Sequence, residues 1–342
     1  MQPLLDLQPD ELTAWLAERG LPRYRAGQIR KWLFECPGTP FDQMSDLPKS
    51  LRTELAEAFN VWSMREVTRQ QSEDGTEKLL LGPHDGDRVE CVLLRDDRGH
   101  RTVCLSTQVG CAMGCVFCAS GLDGVRRNLT AGEILEQALR LAALLPEDER
   151  LSHVVVMGMG EPLANLDALL VALKAITAPD GLGISARRVT ISTVGLPKAI
   201  RALATAGVQY HLAVSLHAPH DELRTEIVPT NRRVGIEAVL SATDDYFDAT
   251  GRRVTFEYVL LAGVNDREEH ARRLLSLLRG RPSLINLIPY NPVAGLPYQT
   301  PAVEQVRSFA AILESGGLAV KTRYRKGDRI DAACGQLRRR HA

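Results

Sequence analysis

A chain of 342 residues with 44% hydrophobic side chains is long enough to bury one large core with a smaller unit beside it. Its 42 Lys and Arg balance 42 Asp and Glu, which excludes a wholly basic nucleic-acid coat and leaves room only for local basic patches. No apolar run approaches the roughly 18 residues of a membrane span. The acidic, amphipathic opening lacks the basic start and apolar stretch of a signal peptide, so a cytoplasmic protein away from membranes is expected.

Residues 9–60 read as helical. Leu12, Trp15, Leu16, Ile29, Trp32, Leu33, Leu51, Leu55 and Phe59 recur at helix spacing, with breaks at Gly20, Pro37 and Gly38. This predicts a small helical accessory domain over 1–62, carrying surface arginines at Arg19, Arg23, Arg25 and Arg30. Over 63–106 the period changes. Short strands are predicted at 78–81, 89–94 and 102–106, separated by Gly-, Asp- and Arg-rich turns, as a β extension leading into the core.

From 107 to 342, predicted strands alternate with predicted helices. The strands are 154–157, 188–192, 211–216, 254–260, 284–288 and 318–322; the helices are 130–145, 166–176, 235–250, 268–278 and 302–315. That rhythm predicts an α/β fold, a partial (βα)6 barrel of the TIM kind. Chemistry in such barrels sits at the C-terminal ends of strands. Here those ends are 157–162, 192–193, 215–217 and 288–292, each polar or rich in Gly and Pro.

Seven cysteines are unevenly placed. Cys91, Cys104, Cys111, Cys115 and Cys118 share one stretch, while Cys36 and Cys334 lie far off. A long chain with no signal peptide points to metal or catalytic use of thiols, not to a disulfide framework. Cys111-Ala-Met-Gly-Cys115-Val-Phe-Cys118 puts three thiolates within one short loop. They can hold one face of an iron–sulfur cubane and leave its fourth iron open. Zinc competes, although a closed structural zinc site wants four ligands. Unliganded buried cysteine is the bland alternative. Cys334, flanked by small residues in Asp331-Ala-Ala-Cys-Gly-Gln-Leu337, is accessible to a bulky reactant. Cys104 ends a predicted strand shortly before the triplet; both also fit small buried apolar residues.

The CxxxCxxC spacing resembles that of the radical S-adenosylmethionine superfamily. There the open iron chelates the amino-acid part of the cofactor, and one electron cleaves its sulfonium. Gly158-Met-Gly-Glu-Pro162 resembles the glycine-rich segment of that superfamily. Over nearly the whole chain the resemblance is to the RlmN/Cfr family of radical RNA methyltransferases, nearest its adenine-C2 branch. Segments 21–29, 106–120, 158–162, 215–219, 288–292 and 332–337 carry it.

The resemblance implies that Cys111, Cys115 and Cys118 hold a [4Fe-4S] cluster. It implies that Gly160, Glu161, Ser192, Ser215, Leu216, His217 and Asn291 bind S-adenosylmethionine, used twice per turnover. Cys334 is then the cysteine that is methylated and carries the methyl carbon to the base. Glu90 is the proton acceptor, with Cys104 a second candidate. Cys104 also pairs with Cys334 in a transient disulfide that releases product. The implied substrates are 23S ribosomal RNA and tRNA, with a flavodoxin- or ferredoxin-type electron donor and a monomeric enzyme. The alternatives are C8 methylation of 23S ribosomal RNA by the other branch of the family, or a non-catalytic RNA-binding protein with a structural metal. Arg329-Ile330-Asp331 and residues 324–328 depart from the family's common form, implying altered local RNA contacts.

Residues 321–342 carry eight Lys and Arg against two Asp, enough for several phosphate contacts. Arg126-Arg127, Arg187-Arg188 and Arg232-Arg233 are further basic pairs that could ring the barrel mouth; solvated surface charge is the plainer reading of any one of them. A target base must leave its stack to reach a buried cluster. His217 and His220 are spaced as a metal pair can be, but core or surface histidine is commoner. Cys36 and Cys91 receive no role.

Overall fold

The computed structural model describes residues 1–83, 85–323 and 330–337. Ten strands form one mixed sheet in which each strand lies beside its chain neighbour. Met64–Gln71, Glu77–Pro83, Val89–Arg95 and Arg101–Cys104 make an antiparallel meander. Arg101–Cys104 then pairs in parallel with His153–Val156. The parallel run continues through Val189–Thr193, His211–Ser215, Val254–Leu260, Ser283–Pro289 and Ala319–Thr322. The edge strands Met64–Gln71 and Ala319–Thr322 do not meet, so the barrel is open. The parallel series starts one strand earlier than the predicted unit at 107, because Arg101–Cys104 belongs to both the meander and the parallel run.

The crossovers are helical: Ala131–Ala142, Leu166–Thr177, Pro197–Thr205, Ile236–Thr250, Glu268–Leu278 and Val303–Ser315. Alternation along the strands divides their faces. In Val189–Thr193, Val189 and Ile191 are buried, while Thr190 and Ser192 are half-buried. Ser192 lines the central cavity, so the polar positions of the strand are the ones that build the site.

Most predicted strands differ from the observed ones by a residue or two at their ends, and several observed elements were not expected, Met64–Gln71, Pro197–Thr205 and Asp221–Ile227 among them. Met64–Gln71 is an edge strand whose mostly exposed, charged residues hide a period of two. Pro197–Thr205 begins with proline in its first turn, which a helix tolerates there. Asp221–Ile227 is a single short helix beyond the strand His211–Ser215.

The helices Pro9–Ala17, Tyr24–Glu35 and Lys49–Ala58 bury Leu12, Leu16, Ile29, Leu33, Leu51 and Leu55. They are tied to the sheet unit at two points, and a third buried contact holds the start of the sheet just after them. Asp6 accepts at 2.7 Å from the Gly132 amide, capping the helix Ala131–Ala142. A Cβ at position 132 would collide with the Asp6 carboxylate, so glycine is required there. Arg30 pairs with Asp180 at 2.9 Å. Glu136, fully buried, accepts from the Ser63 amide and hydroxyl at 2.7 Å and from the Met64 amide at 3.1 Å, while Arg140 pairs with it at 2.8 Å.

Among the described residues, no helix is long and apolar enough to cross a membrane. The predicted surface arginines of the helical segment are partly committed. Arg19 stacks on Trp15 and pairs with Glu54, Arg25 donates to Gln28 and to the Asp46 carbonyl, and Arg30 holds Asp180.

Glu136→Ala should be among the most damaging substitutions in this junction. It strands the Ser63 and Met64 donors and the Arg140 charge in the interior, a loss of about 3–5 kcal/mol. Chemical denaturation measures it; a loss below about 1 kcal/mol would contradict the junction described here.

Candidate active site

The cysteine triplet sits on a loop between two short antiparallel strands, Gln108–Gly110 and Val125–Asn128. Gly110 has φ +79°, and a Cβ there would run into the Gly124 carbonyl. That carbonyl instead accepts from the Cys111 amide at 3.0 Å. Farther along, the Val116 amide donates to the Ile227 carbonyl at 3.1 Å, anchoring the loop across the open end of the sheet.

All three thiols are half-buried, and burial is the first cause that raises each pKa. Cys111 is pushed up to about 12, with Cys118 adding to it. Cys115 is raised by burial and then by Cys118 and Cys111. Three mutually repelling sulfurs held together in low dielectric need a cation to become thiolates. A closed structural zinc site takes four ligands, whereas three thiolates from one loop can hold a cubane and leave its fourth iron open. The donor set of Cys111, Cys115 and Cys118 fits such a cluster.

A cavity opens beside Cys115 and Cys118. Its wall includes Gly160, Glu161, Ser192, Ser215, His217 and Asn291, residues drawn from successive strand ends. Cys111 and Leu216 are not on that wall. Leu216 is fully buried, and its backbone carries the contacts: its amide donates to the Glu257 carbonyl at 3.0 Å.

Gly160 has φ +102°, and a Cβ would strike Gln108, so the chain can pass this close only as glycine. Glu161 is buried. Its Oε1 accepts from the Leu163 amide at 3.0 Å and its Oε2 from the Val194 amide at 2.8 Å. Burial raises its pKa against those donors. With the Thr193 hydroxyl as a third donor, it stitches the glycine-rich turn to the end of Val189–Thr193 and still keeps acceptor capacity for a ligand.

His217 stands at φ +59°, edge-on to Phe117 with ring centroids 4.9 Å apart. Its Nδ1 accepts from the Val259 amide at 3.0 Å, which assigns the proton to Nε2. Burial, helped by Arg224, pushes the imidazole down to about 3, so it is neutral at physiological pH. His220 is elsewhere, pairing with Glu222 at 2.9 Å. Asn291 donates from Nδ2 to the Cys334 carbonyl at 3.1 Å, while its buried Oδ1 has no partner among the described residues. An acceptor left unsatisfied at a cavity wall is suited to a ligand's donor.

Cys334 is exposed and lines this cavity. A second cavity, walled by Arg95, Thr102, Lys321 and Arg323 among others, shares Ile288, Asn291 and Cys334 with the first. The segment around Cys334 is sewn in place. The Gly335 carbonyl accepts from the Ala119 amide at 2.8 Å, the Leu337 carbonyl accepts from the Ser120 hydroxyl, and Gln336 donates to the Pro292 carbonyl at 2.9 Å.

Cys104 is buried behind it. Burial, then the neighbouring Cys334 sulfur, pushes the Cys104 thiol up to about 12, and Arg323 opposes the rise. All seven cysteines are free thiols, so the expected Cys104–Cys334 bond is not formed here. Glu90 lies on the strand Val89–Arg95, buried at 2% exposure and paired with Lys78 at 2.9 Å.

Among the buried charges that were not singled out from sequence, three bear on the site. Glu257 lines the first cavity; burial pushes it up to about 7, and the Asn286 amide holds it at 2.6 Å. Arg224 ties strand ends together, donating to the carbonyls of Leu216, Val194 and Ser215. Lys78 is the third. For Glu257 and Lys78 a signal existed, a charge inside an otherwise apolar strand; Arg224 gave none. Of the basic pairs, Arg126 and Arg127 are held by Asp87, Asp85 and Glu133, while Arg187, Arg188, Arg232 and Arg233 are exposed. Residues 324–329 and 338–342, which carry most of the predicted basic tail and Arg329, lie outside the described residues.

Residues 105–275 match the model of the radical SAM superfamily, and residues 2–61 match that of the ribosomal RNA large subunit methyltransferase N-terminal domain. A probable dual-specificity RNA methyltransferase RlmN of Rhodopirellula baltica is 62% identical over 98% of this chain and 90% of its own. One of the same description from Symbiobacterium thermophilum is 47% identical over 99% and 92%. The crystal structure of a radical SAM methyltransferase from Sphaerobacter thermophilus superposes with TM-score 0.96 at 45% identity, covering 99% of both chains.

His217 generates a pH prediction. Its folded pKa lies below the ordinary 6.5, so its stabilising contribution is present above pH 6.5 and is lost as pH falls toward about 3. Between those limits wild type should lose up to about 1.4 kcal/mol more per pH unit than His217→Asn. Denaturant titrations at several pH values compare them; parallel slopes would mean that the ring is not buried as a neutral base.

Proposed function

Because the chain belongs to the RlmN family of radical S-adenosylmethionine RNA methyltransferases, we propose that it methylates C2 of adenosine in 23S ribosomal RNA and in tRNA. The positions are the peptidyl-transferase centre and the adenosine 3′ of the anticodon, and Cys334 carries the methyl carbon. The family's cofactors are a [4Fe-4S] cluster and S-adenosylmethionine. The observation behind the reading is the place of Cys334, an exposed thiol in a wall shared by two cavities, with the cluster cysteines on one side and Cys104 behind it.

Adenine C2 is electron-poor and has no nucleophilic character, so transfer of a methyl cation fails there. When bound, the cluster supplies and takes back single electrons, and two molecules of S-adenosylmethionine supply a methyl group and hydrogen-abstracting power. Cys111, Cys115 and Cys118 would hold the cluster. Gly160, Glu161, Ser192, Ser215, Leu216, His217 and Asn291 would hold S-adenosylmethionine. The neutral His217 ring offers an Nε2 donor there without adding charge beside a sulfonium.

The Cys334 sulfur accepts the methyl group and, through that carbon, becomes joined to C2. Glu90 accepts the C2 proton on a carboxylate oxygen, and the electron pair of the C–H bond stays with the ring. Arg323, beside both sulfurs, favours loss of the Cys104 thiol proton. The Cys104 sulfur then bonds to the Cys334 sulfur as the bond from Cys334 to the methylene carbon breaks. That pair stays with carbon, which takes up a proton and leaves as methyl. A reductant of the flavodoxin or ferredoxin type provides electrons, and a thiol reductant reopens the disulfide. The enzyme works as a monomer in the cytoplasm, where its RNA substrates are.

The test is anaerobic. Protein reconstituted with iron and sulfide is given S-adenosylmethionine, reductant and protein-free 23S ribosomal RNA or unmodified tRNA, and nucleosides are identified by mass spectrometry. 2-Methyladenosine is expected; 8-methyladenosine, or no product from either RNA with an intact cluster, would overturn the reading. Cys334→Ala should abolish product. Cys104→Ala should instead accumulate a covalent protein–RNA species, and normal turnover by that variant would remove Cys104 from the mechanism.

A further inference from the structure

Lysine is almost never fully buried, yet Lys78 is 2% exposed in the strand Glu77–Pro83. Its ammonium lies 2.9 Å from Glu90 Oε1 and donates to the Asp331 carbonyl at 3.2 Å. One cation thus joins a carboxylate on the meander to the backbone three residues before Cys334.

Strand register explains how it gets there. Lys78 pairs across to Val92, and Val92 pairs across to Cys104, so the three side chains form one row on one face of the sheet. Glu90, two residues from Val92, shares that face. Lys78, Glu90 and Cys104 are therefore presented together to the segment 330–337. The preceding residue, Glu77, points the other way and is neutralised by Arg69 and Arg95.

Stability does not account for the pair. Two charges taken out of water lose hydration that their mutual attraction rarely repays, and an apolar pair of similar size packs at least as well. The Asp331 end carries a cost too. Its φ of +51° is the left-handed region, where a residue other than glycine persists only when its surroundings hold it.

We propose that Lys78 is a positioning residue that fixes Glu90 and the Cys334 segment relative to one another, so that carboxylate and methyl carrier meet the same base carbon. The proposal rests on the reading of Glu90 as proton acceptor. Lys78 itself touches neither substrate nor cofactor. Without its ammonium, the direct link between Glu90 and the Asp331 carbonyl is lost, while the cofactor cavity, whose wall does not include Lys78, is unchanged.

The test uses full-length Lys78→Met and Lys78→Arg, with Lys78→Gln as a second neutral variant should the methionine protein not fold. In cofactor-free protein, hydrogen–deuterium exchange over 330–337 should quicken in the neutral variants and stay near wild type in Lys78→Arg. In reconstituted protein, Cys334 should still gain its methyl group by intact-protein mass. Formation of 2-methyladenosine should fall about tenfold or more, with covalent protein–RNA species accumulating, and Lys78→Arg should recover part of the rate. Unchanged exchange together with normal turnover would overturn the proposal. Equal loss of Cys334 methylation and product would overturn it as well, since that is the mark of a general structural role. If wild type itself makes no methylated adenosine while exchange still responds to Lys78, the anchoring stands and the functional reading has failed.

Discussion

The docking of one short C-terminal segment onto the open end of the sheet is the contact on which the rest of the site depends. The carbonyls of Cys334, Gly335 and Leu337 are taken by Asn291, Ala119 and Ser120, so a strand end and the turn that follows the cysteine loop grip the backbone on either side of one thiol. The grip is made of backbone acceptors, which leaves the Cys334 side chain outside the hydrogen-bond network and exposed to both cavities. Closing so long a loop costs little more than closing a shorter one, because the entropy grows only with the logarithm of its length. A few well-made hydrogen bonds in a buried setting are enough to hold it.

Around that segment the fold arranges charge sparingly. The cavity wall carries a neutral imidazole, a carboxylate already engaged by two amides, and a second carboxylate raised to about 7 by burial. Such a wall presents oriented dipoles and partial negative charge, with a neutral ring at the His217 position, an environment suited to a cationic ligand. Arg224 contributes in a different way. By donating to three carbonyls at the ends of neighbouring strands, it satisfies backbone acceptors that the open barrel would otherwise leave buried without partners.

The N-terminal helices are integrated by the same kind of buried polar bond. Asp6 uses its carboxylate to receive a backbone amide from the sheet unit, Glu136 receives the amides of Ser63 and Met64 where the chain enters the sheet, and these contacts meet on the helix Ala131–Ala142 that follows the cysteine loop. Displacement of the helical segment would therefore be felt first at the helix packed behind the meander that carries Glu90 and Lys78.

How much of this was legible in the sequence depends on distance along the chain. The proximity of Cys111, Cys115 and Cys118 was, because their spacing within one loop makes them neighbours whatever the rest does. The βα rhythm was, because period two and period 3.6 are local properties. The strand Met64–Gln71 was not, since an exposed edge lacks the alternation that burial imposes. Lys78 was passed over because its reason lies 253 residues away at Asp331, and Ser120 meets Leu337 across 217 residues. The sequence by itself determined which elements form and which thiols can share a cluster. Only the tertiary structure decided that Cys104, Cys334, Glu90 and Lys78 stand together, since that follows from strand register and from hydrogen bonds between segments that local sequence does not connect.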